Sequence, residues 1–184
     1  MADKIPLQID AEAEIRIERV RKHLPAGNDL ILIALKGHLL AEEGLDDLIR
    51  FYCKQPEHLD DVEIGFFVKV RLARALSGHI VWTGRWPLID ALNSVRNDLA
   101  HKLESPKLRD RVIRFLNLRK ELAPLLYDPE IDPTNWDAVA ERFRSDISFL
   151  LGQLTGAGMM ARTLEAQAQP VAPEGRTTSG APLS

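Results

Sequence analysis

Three polar side chains close together in the sequence, Arg96, Asn97 and His101, have types and a spacing that could carry out chemistry. The guanidinium group of Arg96 is a planar cation whose paired N–H donors suit an oxyanion. The imidazole of His101 has an unperturbed pKa of about 6.5, so it can accept or donate a proton near neutral pH. The sequence contains no glycine-rich phosphate loop, no HExxH pair and no GxSxG motif, so these three residues are the candidate site.

The stretch 88–103 that holds these residues, LIDALNSVRNDLAHKL, is predicted to form one amphipathic helix. Pro87 suits its first turn, where a missing N–H would have no partner in any case. The apolar stripe consists of Leu88, Leu92, Val95, Leu99 and Leu103. Arg96 flanks this stripe, whereas Asn97 and His101 are four positions apart and share a face nearly opposite to it. We therefore expect solvent or a partner to reach Asn97 and His101.

Helical periodicity predicts further helices around this one and no convincing strand, so we expect an all-α, antiparallel helical bundle of about five to six helices. The predicted helices span 10–24, 29–54, 63–80, 88–103, 107–122 and 136–154. The first has a thin apolar face and is expected to pack on the bundle, which gives an N-terminal element over 1–27 and a bundle over 28–155. Residues 156–184 are small and polar, and their composition predicts a disordered tail.

Local patterns also predict how the second and third helices begin and which sides they bury. The apolar run LILIAL, residues 30–35, predicts a deeply buried start of the second helix. Asp60 and Glu63 have the spacing of a capping box and predict the start of the third helix. Its buried side is predicted to consist of Ile64, Val68, Leu72 and Ala75.

The composition limits the classes of function. The 184 residues carry a net charge of -3, which argues against nucleic-acid binding through an overall positive field but not against a local basic patch. Cys53 is the single cysteine, so an internal disulfide and a thiolate zinc cluster are excluded. The sequence has no apolar signal segment and no apolar run of roughly 20 residues, which predicts a cytoplasmic protein that does not enter a membrane.

Two groups of charged residues have both a functional and an ordinary interpretation. Glu42, Glu43, Asp46 and Asp47 could mimic a metal site, but their spacing spreads them around a helix and predicts a solvated face. We therefore expect neither a metal nor a cofactor. The fifth helix has a basic surface that could contact RNA phosphates or form a charged outer face. It comprises Lys107, Arg109, Arg111, Arg114, Arg119 and Lys120, and the first four are the candidate RNA contacts.

The segment 96–101, RNDLAH, has the form Arg, polar residue, three more residues, His, and it resembles the signature of the HEPN superfamily of helical-bundle proteins. The preceding element FFVKVRLARALSG, with the short link that follows it, is similar to the branch that includes the mannitol-operon repressor family. The resemblance covers about 29–122. It implies a HEPN-like bundle in that region.

For catalytic members, the resemblance implies metal-independent RNA cleavage at a dimer interface. Arg96 would then bind the scissile phosphate, His101 would act as general acid or base, and Asn97 would orient one of the two. The ribose 2′-OH would attack, so RNA would be the substrate. Arg96 and His101 point about 140° apart on a straight helix, which is consistent with a site shared by a homodimer.

The same resemblance allows two classes of function. The first is an endoribonuclease that acts as a toxin or defence component, with RNA as substrate and an antitoxin as protein partner. The second is a non-catalytic transcriptional regulator or protein-interaction module of the mannitol-operon repressor type. A regulator would act through a protein partner and would not cleave RNA.

Overall fold

The computed structural model describes residues 10–77, 85–101, 106–124 and 131–168, and within these ranges it contains six α-helices and no strand. The predicted all-α helical bundle is confirmed. No described helix combines the length and the hydropathy that a membrane span requires. The helices are α1 (Ala11–His23), α2 (Leu30–Tyr52), α3 (Phe66–Ser77), α4 (Trp86–His101), α5 (Leu108–Leu122) and α6 (Trp136–Ala168), with a short 3-10 helix at Pro56–Leu59.

Side-chain caps fix where three of these helices begin. Asp10, Asp29 and Asn135 each accept a hydrogen bond from the backbone N–H three residues later, at 2.8, 3.0 and 3.2 Å. These bonds satisfy N–H groups that have no partner inside the helix. The sequence predicts Asp10 as a cap, and it offers Asn28 or Asp29 for α2 and Thr134 or Asn135 for α6, because short polar side chains precede an apolar repeat at each position.

The main contact of the bundle is between α2 and α6, and two glycines bring these helices close together. A Cβ atom at Gly37 would lie 2.8 Å from Cγ2 of Ile147, and one at Gly44 would lie 3.4 Å from Leu154. The second contact lies seven residues further along the chain than the first on both helices, so α2 and α6 run in the same direction. These helices are not consecutive, so the short-link argument for antiparallel packing does not apply to them.

Packing of α1 against α6 is antiparallel, as predicted for the bundle. Asp10, at the start of α1, binds Arg162 near the end of α6 with an oxygen–nitrogen distance of 2.9 Å. Leu24, just after the end of α1, lines a groove together with Ser148, which lies closer to the start of α6 than Arg162 does. The first helix therefore lies on the outside of the bundle and crosses much of the length of α6.

The predicted tail begins too early. Helix α6 continues through residues 156–168, and Ala157, Met159 and Ala161 are buried. Alanine and glycine in this segment were expected to indicate disorder, but small side chains also let a helix pack closely against a neighbour. Residues 169–184 of the predicted tail lie outside the described residues.

The start of α2 is less buried than the apolar run LILIAL predicts. Ile33 is fully buried, whereas Ile31, Leu32 and Leu35 have 46%, 42% and 37% of their surface exposed. Leu39, one turn further on, is also exposed. The core covers one side of this half of α2, and the stripe Ile31–Leu35–Leu39 faces outward.

Helix α3 starts later than predicted and buries the opposite side. It begins at Phe66, and Asp60 does not cap it but accepts a hydrogen bond from Arg50 at 2.7 Å. Its buried residues are Val70 and Ala73. Three members of the predicted buried side, Val68, Leu72 and Ala75, are exposed, and the fourth, Ile64, lies before the helix and is partly buried. Apolar residues occur all around this helix, so periodicity alone could not choose between its two sides.

Candidate functional site

Helix α4 holds the candidate residues on a rigid and well-packed element. The side chains of Leu88, Leu92 and Val95 are fully buried, and Leu99 packs partly against the same core. The predicted stripe is thus confirmed over the described length. The helix ends at His101, so Leu103 lies outside the described residues. The buried stripe fixes the rotation of α4 and hence the direction of every other residue on it.

Arg96 lies at the edge of the core, as predicted, and is half-buried. Its Nη1 donates a long hydrogen bond of 3.4 Å to Oδ1 of Asn97. In the part of the chain that the structure describes, no carboxylate lies within ion-pair distance of its guanidinium group. A half-buried guanidinium that no described carboxylate compensates is a suitable place for an anion to bind.

Asn97 is half-buried rather than open to solvent, and it contacts Arg96 directly. The backbone of His101 forms the last residue of α4, but its side chain lies outside the described residues. Arg96 and Asn97 are therefore brought together by the structure. The position of the imidazole of His101 relative to them stays a prediction.

A second histidine lies beside this pair and was given no role by the sequence analysis. His38 of α2 is only 4% exposed, and its Nε2 lies 3.2 Å from Oδ1 of Asn93. Its ring stacks on Phe66, with 4.0 Å between the ring centroids. Asn93, Arg96 and Asn97 have helical i, i+3, i+4 spacing, so the face of α4 that contacts His38 also carries Arg96.

The surroundings of His38 favour its neutral form. Burial lowers the pKa of the imidazole below its ordinary value, and the nearby charge of Arg96 lowers it further. The hydrogen bond with Asn93 and the charge of Glu42 oppose this shift without reversing it. If Oδ1 of Asn93 accepts the hydrogen bond, then Nε2 of the neutral His38 ring carries the proton and donates it. A sequence signal for this burial was present, because His38 is in helical register with the buried residues Ala34, Ala41 and Leu45.

The acidic residues of α2 lie at a partly solvent-exposed surface, and they also bind cations from neighbouring helices, which the prediction of a solvated face did not include. The Nζ of Lys69 lies 3.0 Å from Glu42 and 2.7 Å from Asp46. Burial alone would lower the pKa of Lys69, but its hydrogen bonds to these carboxylates raise it overall. The other two acidic residues, Glu43 and Asp47, pair with arginines of α1. Among the described residues, no three histidine, cysteine or acidic side chains come together as a metal site.

Arg111 and Arg109, two of the candidate RNA contacts on α5, bind groups on neighbouring parts of the chain. Arg111 donates to the carbonyl oxygen of Ser94 at 3.0 Å and pairs with Asp98 at 3.2 Å, which ties α5 to α4 beside the motif. Arg109 donates to the carbonyl oxygen of Pro133 at 2.7 Å and lies over the ring of Trp136. Both side chains therefore have structural roles.

The remaining members of the predicted basic surface divide into exposed and buried residues. Lys107, Arg114 and Lys120 are exposed and face a solvent-accessible side of α5. Arg119 is only 4% exposed, lies over the ring of Phe149 and pairs with the buried Asp146. Its assignment to the basic surface is wrong, because a guanidinium paired in the core adds no charge to the exterior.

Comparison of the chain with family models, with curated proteins and with solved structures found no match.

Proposed function

We propose that the chain is a HEPN-like, metal-independent endoribonuclease that acts as a cytoplasmic homodimer, in the manner of a toxin or defence component. The observation that carries this proposal is the state of Arg96. Across the described residues, no carboxylate pairs with its half-buried guanidinium group. Its charge is therefore available to a phosphate, next to the hydrogen-bonding group of Asn97.

Each motif residue has one role in this proposal. Arg96 binds the scissile phosphate through its paired N–H donors. Asn97, which already accepts a hydrogen bond from Arg96, holds the guanidinium group or the substrate in place. His101 transfers a proton as general acid or base. The ribose 2′-OH is the attacking group, so RNA is cleaved and DNA is not. The exposed Lys107 and Arg114 provide further contacts with RNA phosphates.

The homodimer follows from the directions of the two active side chains. On an ideal helix, positions 96 and 101 are about 140° apart, so we expect one copy alone to be poorly arranged to bring both side chains to one phosphate. The outward-facing stripe Ile31, Leu35 and Leu39 on α2 supports association, because large apolar side chains exposed in a row mark interaction surfaces. We assign this stripe to contact with the second copy.

The test is RNA cleavage by the purified chain in the presence of EDTA. We expect cleavage to persist without divalent ions and to fall by about a hundredfold or more in His101→Ala and in Arg96→Ala. The exposed His58 and Arg74 provide matched controls, so His58→Ala and Arg74→Ala should retain activity. Equal loss of activity in a control, or no cleavage of any RNA by the wild-type chain, would contradict the proposal.

A second candidate function is a non-catalytic regulator of the mannitol-operon repressor type. The observation that favours it is the exposed apolar side of α3, which is a candidate surface for another protein. Phe67, Val68, Leu72 and Leu76 have 59%, 48%, 37% and 39% of their surface exposed. Intact RNA in the assay, together with a stable protein partner that Val68→Glu releases, would favour this alternative.

A further inference from the structure

Helix α1 has little apolar contact with the bundle. Along its whole length, which the structure describes, Ala13 is the one fully buried residue, and Ile15 is 69% exposed. Val20, within the helix, and Leu24, just past its end, are partly buried against the core. A helix of 13 residues is marginal in water without tertiary contacts. Something other than apolar burial must therefore contribute strongly to its attachment.

Ion pairs to both neighbouring helices provide that attachment. Arg16 and Arg19 of α1 pair with Glu43 of α2, and Arg16 also pairs with Asp47. In the opposite sense, Arg162 of α6 binds carboxylates at the start of α1, at 2.9 Å from Asp10 and 2.8 Å from Glu12. The two helices beneath α1 thus each hold it by charge.

The pKa values of the carboxylates agree with this arrangement. The hydrogen bond from Arg162 lowers the pKa of Asp10, and the hydrogen bond from Arg19 lowers the pKa of Glu43. Both carboxylates are therefore charged near neutral pH, and the pairs are fully formed there. Several partners are exposed, so dissolved salt can screen these pairs directly.

A groove between α2 and α6 lies beneath α1. Its floor includes Leu40 and Leu48 from α2 with Leu151 and Leu154 from α6, all nearly fully buried. The side chains of α1 that line the same groove are Ala13, Arg16 and Val20, together with Glu12. Departure of α1 would uncover an apolar floor beside the carboxylates of Glu43 and Asp47.

We propose that α1 is a releasable cover of the α2–α6 groove, held by charge and opened as a unit when ionic strength rises. Its link to α2 is residues 24–29, in which Ala26, Gly27 and Asn28 are exposed and can change conformation without disturbing the core. The rest of the bundle depends on apolar packing, which salt does not weaken in this way. This device does not depend on the proposed nuclease activity.

The test is hydrogen exchange of the full chain, read by mass spectrometry at 50 and at 500 mM NaCl. We expect peptides of α1 to exchange about tenfold faster at high salt, because several exposed ion pairs are screened together. Peptides from the buried parts of α2 and α6 should be unchanged. Equal salt dependence in all helices, or none in α1, would overturn the proposal.

Variants separate charge from folding in this experiment. Glu43→Gln removes the shared partner of Arg16 and Arg19, so α1 should exchange several-fold faster at 50 mM NaCl and respond less to added salt. Glu14→Gln, at an exposed position of α1, is the matched control and should behave as wild type. Arg19→Glu places two carboxylates against each other and should loosen α1 at 50 mM NaCl. Unchanged exchange of α1 in this variant would show that the pair does not hold the helix.

Discussion

Two cations on consecutive helices, Lys69 of α3 and Arg96 of α4, show how a single residue can be set apart for function. Lys69 has two carboxylate partners, and they raise its pKa, so its charge is satisfied within the chain. Arg96, on helix α4, has the amide oxygen of Asn97 as its one hydrogen-bond acceptor among the described residues. An unpaired, half-buried charge costs stability unless a ligand or partner compensates it. This difference makes Arg96 the first residue to test.

The neutral state of His38 predicts how stability depends on pH. Its pKa is lowered in the folded chain, whereas in the unfolded chain it should be near 6.5. The unfolded state therefore binds the proton more readily, and the contribution of His38 is present above about pH 6.5 and lost as pH falls toward its folded pKa. We expect the free energy of unfolding, measured with urea between pH 8 and pH 5, to decrease over the acidic part of this range.

Two variants assign that effect to His38. His38→Gln keeps a polar group near Asn93 but does not titrate, so its unfolding free energy should fall less steeply with acid than that of wild type. His58→Gln changes an exposed histidine and should keep the wild-type slope. The same slope in all three proteins would mean that other groups, such as carboxylates, produce the whole acid dependence.

At the scale of elements, the sequence predicts a helix well where its apolar residues occupy one side. The stripe of α4 is such a case, and its residues Leu88, Leu92 and Val95 are buried as expected. In α3 the apolar residues surround the helix, and the choice between Val68 and Val70 depends on neighbours that periodicity cannot supply. In α6 the small residues after 155 looked like a tail because their packing partners lie far away in sequence.

In the candidate site too, local sequence patterns predict some features, and others depend on residues far away in the sequence. The spacing of Arg96 and Asn97 within one helix could be predicted, because it needs only local geometry. The approach of His38 to Asn93 could not, because these residues are 55 positions apart and meet through tertiary packing. The pairing of Arg111 with Asp98 across two helices was missed for the same reason, and it removes one arginine from the predicted RNA surface.

The close contact of α2 and α6 predicts a destabilising glycine replacement. Gly37→Ala would place Cβ 2.8 Å from Cγ2 of Ile147. This methyl carbon is attached directly to the Cβ of Ile147, so it cannot move far from the backbone of α6. The gain in helix propensity is about 1 kcal/mol, and we expect steric strain to exceed it and to lower the unfolding free energy by about 1–3 kcal/mol net. Urea denaturation measures this difference.

The control for this replacement lies in α6. A Cβ at Gly152 would meet no described atom within 4 Å, so Gly152→Ala should stabilise the chain by about 0.5–1 kcal/mol through helix propensity alone. Opposite signs for the two replacements would confirm the close approach at Gly37. If both variants are stabilised, the two helices have room to separate there.

At the scale of the whole molecule, the proposed activity requires two copies. We expect the wild-type chain to be a dimer at micromolar concentration by light scattering, and Leu35→Glu to be a monomer, because a charge would replace an apolar contact in the stripe on α2. The monomer should also lose RNA cleavage. Val62→Glu, at another exposed apolar position, should remain dimeric. A monomeric wild-type chain that still cleaves RNA would disprove the shared site.

The pairing of Asp10 with Arg162 joins positions 152 residues apart and so has a consequence for biosynthesis. A ribosome adds about 5–20 residues per second, so Asp10 is made roughly 8–30 s before its arginine. During translation α1 can pair with Glu43 and Asp47 of α2 soon after both helices are made, but its contacts with α6 must wait until α6 has been synthesised. Docking of α1 is therefore completed in two stages that are separated in time.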